Sequence, residues 1–120
     1  MKRVALLTAA LLWTLQVFAH GPNRGPHGGM QVDAGDYHVE MVALDKTLTL
    51  YVNDRDDKPV DAKGYKATGI FVVDGKPQRI ELAPTSANKL IGTSTVALPA
   101  TLKGAITITL PNGKIVQAKY

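Results

Sequence analysis

From Met30 to the end of the chain, short apolar–polar alternations are broken by turn residues, and no window of a dozen residues carries a helical period. This pattern constrains the fold more than any other feature. A half-buried strand turns every second side chain to one face, whereas a helix needs apolar positions recurring every three to four residues. In "TLTLYVN", Leu48, Leu50 and Val52 share one face and Thr47, Thr49 and Tyr51 the other. In "YHVEMVAL", Tyr37, Val39 and Met41 oppose His38, Glu40 and Val42. Further strands are expected in "MQVD", "YKATGIFVVD", "PQRIEL", "NKLIGTSTVAL", "GAITITLP" and "GKIVQAKY". Asp74-Gly75 and Asn112-Gly113 favour the type I′ geometry of tight hairpins. The expected fold is all-β: an immunoglobulin-like β-sandwich of about seven short strands over 30–120, with a small β-barrel as second choice.

Two segments precede this domain. Met1-Lys2-Arg3 gives a positive start, Val4 to Ala19 is uncharged and mostly apolar, and Val17 and Ala19 are the small residues a signal peptidase requires. Residues 1–19 are therefore expected to be a secretory signal peptide. The apolar run falls short of the roughly 20 residues that span a bilayer, so no stable membrane insertion is expected after cleavage. Residues 20–29, "HGPNRGPHGG", hold four glycines and two prolines and are expected to form a flexible arm.

Charge and cysteine usage exclude several functions. The formal net charge is +4, and removal of Lys2 and Arg3 with the leader leaves 12 basic residues against 10 acidic ones. The lysines are scattered, so no nucleic-acid partner is expected. The absence of cysteine rules out a disulfide framework, thiolate metal sites and a cysteine nucleophile. Stability must come from the apolar core. Asp54, Asp56 and Asp57 suggest a calcium loop, but Lys58 and Pro59 break the pattern and no distal Glu follows.

All three histidines, His20, His27 and His38, lie in the first third of the chain. Cleavage after Ala19 would make His20 the amino terminus, offering its α-amine and Nδ1 to one ion. One more imidazole, from His27 or His38, would complete a three-nitrogen set suited to Cu(II). In "PHGG", the His27 imidazole and the amides of Gly28 and Gly29 could also fill the square plane that Cu(II) prefers. His38 and Glu40 leave the same strand face about 7 Å apart and could form part of a nitrogen–oxygen site. A solvent-facing polar pair is the plainer reading of these two, and core packing that of Met30 and Met41. With no thiolate available, Cu(II) is the expected metal and Zn(II) the second.

"PHGGMQVDAGDYHVEMVALDKTLTLYVNDRDDKPVDAKG" resembles the amino-terminal β-domain of periplasmic adaptor subunits of heavy-metal (RND-type) efflux systems and their small stand-alone relatives. The matching positions are His27, Gly28, Gly29, Gly35, Asp36, Tyr37, Glu40 and Val42, followed by the "LYV" strand and "DDKPV" loop. The likeness extends over 26–110, but its specific motifs all precede residue 64. The helical hairpin, lipoyl-like and barrel domains of a full adaptor have no counterpart here. The resemblance implies metal handling in a Gram-negative periplasm, with His27 as a ligand and an efflux component as protein partner.

Three function classes follow. The first is a periplasmic metal-binding protein, a Cu(II) carrier or buffer linked to efflux or resistance. The second is a non-catalytic interaction module that docks a transporter or envelope protein without metal. The third is an enzyme. A terminal histidine with a second histidine also occurs in oxidative polysaccharide-cleaving copper enzymes. Those need a broad aromatic surface, and loss of the leader leaves four Tyr, Phe71 and no Trp. No nucleophile elbow or Ser-His-Asp pattern is visible, so catalysis is not expected.

Overall fold

The computed structural model describes residues 23–120, so the expected signal peptide, His20 and the start of the arm lie outside the described residues. Eight strands follow in order: β1 (Met30–Ala34), β2 (Tyr37–Leu44), β3 (Thr47–Asp54), β4 (Lys66–Val73), β5 (Lys76–Pro84), β6 (Lys89–Thr93), β7 (Lys103–Thr109) and β8 (Ile115–Lys119). There is no helix among the described residues, and hence none long and apolar enough to cross a membrane.

The all-β expectation holds, but the strands do not separate into two sheets. They form one antiparallel sheet in the order β1-β2-β3-β6-β5-β4-β7-β8. The corner is made by β5, whose residues from Lys76 to Leu82 pair with β4 while Ala83 and Pro84 pair with Leu90 and Ile91 of β6. One strand thus belongs to both halves, and the sheet continues where a sandwich would break. β1 and β8 then meet without a hydrogen-bonded ladder, leaving a nearly closed barrel. Gly35 faces Val116 across this seam, and the Tyr120 hydroxyl donates to the Val39 carbonyl oxygen at 2.9 Å. Closing a sheet on itself removes most of the unpaired strand edge that an open sheet exposes.

The inward faces follow the alternation. Leu48, Leu50 and Val52 are buried, as are Val39 and Met41 opposite them. Phe71, on β4, is the largest fully buried side chain. Its ring lies over the bare backbone of Gly69, where an added Cβ would stand 2.4 Å from Phe71 Cε2. At the β4–β5 hairpin, Asp74 and Gly75 both have positive φ, 51° and 75°, as a type I′ turn demands. The second hairpin departs from expectation. Only Gly113 has positive φ there, and Gly113 N–H bonds Leu110 O at 2.9 Å. Pro111 accounts for this, because its ring fixes φ near −65° and admits a type I turn followed by a left-handed glycine.

Phe71→Ala removes the centre of this core and should cost about 3–5 kcal/mol. The urea midpoint should fall at an unchanged slope. An unchanged midpoint would contradict the placement of this ring.

Candidate functional site

The two-residue turn Asp45-Lys46 fixes the register of β2 against β3, setting Glu40 opposite Tyr51 and His38 opposite Asn53. β1 adds Gln31 beside Glu40 and Asp33 beside His38. These residues form two adjacent rows on the outward face of the sheet.

Glu40 points outward yet is only 1% exposed. The turn formed by residues 23–29 covers it. Gln31 N–H bonds Asn23 O, Gly25 N–H bonds Gly29 O, and Arg24 bridges to Met30, folding this part of the arm back over the sheet. Glu40 Oε2 accepts the backbone N–H groups of His27 and Gly29 at 2.9 and 2.8 Å, and Oε1 lies 2.7 Å from His27 Nδ1. A carboxylate removed from water is costly unless donors surround it, and three are present here. Two glycines permit the close approach. A Cβ on Gly25 would fall 2.1 Å from Glu40 Cδ, and one on Gly29 2.3 Å from Met41 O. Gly25 and Gly29 are thus accounted for by contact with Glu40 and the backbone of β2, and Gly28 by its positive φ of 78°.

His27 is fixed from two directions. Its Nδ1 faces Glu40, and its ring stacks on Tyr51 with centroids 3.6 Å apart and planes 4° from parallel. The side chain remains 46% exposed, and Nε2 has no hydrogen-bond partner among the described residues. With Nδ1–H donating to the carboxylate, Nε2 carries the free lone pair. The amides of Gly28 and Gly29 are engaged with Gly25 O and Glu40, so this conformation does not present the imidazole-plus-amide chelate expected from "PHGG".

His38 lies in the next row. Its Nδ1 is 2.5 Å from Asp57 Oδ1 and its Nε2 3.3 Å from Asp33 Oδ1. Asp57 reaches it from a loop shaped by Asp54, whose Oδ1 accepts the Asp56 and Lys58 N–H groups at 2.9 Å. His38 and Glu40 therefore share a face, as expected, but each is tied to its own partners. Glu40 is not the solvent-facing group of the plainer reading. Met30 and Met41 are cross-strand neighbours on the inner side of β1 and β2. No group of three or more His, Asp or Glu side chains is placed to hold a metal ion among the described residues. A three-nitrogen set would have to draw on His20, which lies outside them.

Tyr51 and Tyr120 are the participants that sequence reasoning missed. Burial raises the Tyr120 hydroxyl above its ordinary pKa, and the negative charge of Glu40 raises it further. Tyr65 is pushed up to about 12, first by burial and then by neighbouring Tyr37 and Asp61.

Compared with known proteins, the chain matches no family model, no curated protein and no solved structure.

Two outcomes are expected. Glu40→Ala strips three donors of their acceptor and should destabilise the fold by about 1–3 kcal/mol. Amide exchange at His27 and Gly29 should accelerate while Phe71 stays protected; retained protection at both turn amides would contradict the hold of Glu40 on this turn. Tyr65 and Tyr120 favour their neutral forms in the folded state, so their stabilisation is complete below the unfolded value of about 10 and is lost as pH rises through the folded values. The urea midpoint should therefore drop above about pH 10, less steeply in Tyr120→Phe.

Proposed function

We propose that this is an exported metal-binding protein, a carrier or buffer for Cu(II) with Zn(II) second, and that His27 Nε2 is its anchoring ligand. The observation that carries the reading is the pairing of His27 Nδ1 with the buried carboxylate of Glu40. Metal-binding imidazoles characteristically donate their other ring N–H to a carboxylate, which sets the tautomer and raises ligand basicity. Glu40 thus has an orienting role here, and its two oxygens are already engaged. Tyr51 limits rotation of the ring. With cleavage after Ala19, His20 would supply an α-amine and a second imidazole, completing a nitrogen set that suits Cu(II). His38 is the histidine least suited to join, since both its ring nitrogens face aspartates. An ion held at a half-exposed imidazole stays open to exchange, as a carrier requires. The apolar leader and the likeness to efflux-adaptor domains favour a periplasmic location beside an efflux or resistance system.

Electron paramagnetic resonance during Cu(II) titration of the exported protein tests this. One equivalent should give a nitrogen-rich axial spectrum. His27→Ala should abolish it, and Glu40→Gln should weaken affinity about ten- to a hundredfold. His38→Ala should leave it in place. A spectrum of free copper, or His27→Ala binding like the parent, would overturn the reading.

A further inference from the structure

A different face of the sheet carries an independent signal. The outward residues of β4, β5, β7 and β8 are in cross-strand register. Arg79, Ile70, Ala105 and Lys119 form one row, and Pro77, Val72 and Lys103 the next. At ordinary strand spacing the first row spans about 15 Å, and the second lies about 7 Å along the strands. Ile70 is 53% exposed and Val72 58%, so two β-branched apolar side chains stand in water at the middle of the face. Cations surround them. Lys66, Arg79, Lys103 and Lys119 point outward from the strands against one strand carboxylate, Glu81, which lies 3.5 Å from Arg79, and Asp74 is exposed at the turn joining β4 to β5. Lys66, Lys103 and Lys119 have no ion-pair partner among the described residues. Most other acidic side chains lie elsewhere, at Asp33, Asp36, Asp45, Asp61 and the loop from Asp54 to Asp57.

We propose that this face docks on an anionic phospholipid bilayer. Its composition selects that occupant. Protein interfaces are anchored by Trp, Tyr and Arg and are poor in Lys. Here three of the four cations are lysines, and no outward position of these strands is aromatic. Lysine stems can lie along Ile70 and Val72 while their ammonium groups reach headgroup phosphates. Each cation near an anionic leaflet adds attraction that salt screens. A second copy of the chain is a poorer fit. Among the described residues its acidic end has no exposed apolar patch to meet Ile70 and Val72, and Asp33, Asp57 and Asp36 are already paired with His38 and Arg55. The proposal does not depend on metal binding.

The test is cosedimentation of the exported protein, bearing the amino terminus its cell leaves on it, with vesicles. One set is phosphatidylethanolamine with one third phosphatidylglycerol, and the other is pure phosphatidylcholine. Binding should occur only to the first set and be lost at high salt. Lys103→Glu with Lys119→Glu should weaken it by about tenfold or more. Lys46→Glu with Lys58→Glu changes net charge equally at exposed sites off this face and should have a much smaller effect. Ile70→Thr with Val72→Thr should weaken binding with all charges kept. Circular dichroism of each variant separates lost binding from lost fold. Equal effects of the two charge reversals would overturn the proposal, since net charge alone would then explain binding. So would absence of vesicle binding, or its replacement by salt-sensitive self-association in sedimentation.

Discussion

A carboxylate buried on the wrong side of a sheet organises this molecule's amino-terminal end. Glu40 occupies an outward strand position, where alternation would leave it in water, and is covered because a glycine-rich turn folds over it. The turn has no apolar face of its own with which to dock. What holds it is the set of donors it delivers to one carboxylate, two backbone N–H groups and one imidazole, with the stack on Tyr51 closing the other side. Each part needs the others. Without the turn, Glu40 is a solvated surface acid. Without Glu40, the turn has no anchor and His27 no preferred orientation.

The barrel-like sheet makes this possible by keeping β2 rigid between β1 and β3. The sheet closes by side-chain packing where β1 meets β8, and Tyr120 crosses that seam to hold the backbone of Val39, the residue before Glu40. Tyr120 therefore supports the strand that carries the site. The charged groups are divided along the same architecture. Most acids and both described histidines sit on the β1–β3 side and its loops, while the outward face of β4, β5, β7 and β8 carries four cations against Glu81 and is partly apolar.

Much of the fold was legible in the sequence because strand periodicity is local. All eight strands overlap the segments expected from alternation, with β1, β3, β5 and β7 running one or two residues past a segment end, and the inward faces of β2 and β3 are those read from "YHVEMVAL" and "TLTLYVN". Pairing was not legible to the same degree. Alternation says which side chains face inward, but a sandwich and a barrel share that pattern, and only the division of β5 between two neighbours separates them. For the site, the register that sets Tyr51 opposite Glu40 follows from the Asp45-Lys46 turn and could have been read directly. The return of the arm over Glu40 could not, since it joins residues 11 and 13 positions apart through side-chain contacts that no periodicity records. Of the glycines in and before "PHGG", Gly28 uses its freedom at a positive φ of 78°, whereas Gly25 and Gly29 are places where a side chain would collide, which composition alone does not record.

Glu40 accepts the Nδ1 proton of His27 and leaves the Nε2 lone pair outward. Long-range proton–nitrogen correlation spectra of the imidazole, recorded in the metal-free protein at a pH where the ring is neutral, measure this directly. His27 is expected in the Nδ1–H form, and Glu40→Gln should weaken this preference. A His27 ring that stays predominantly Nε2–H, as an unconstrained histidine does, would contradict it.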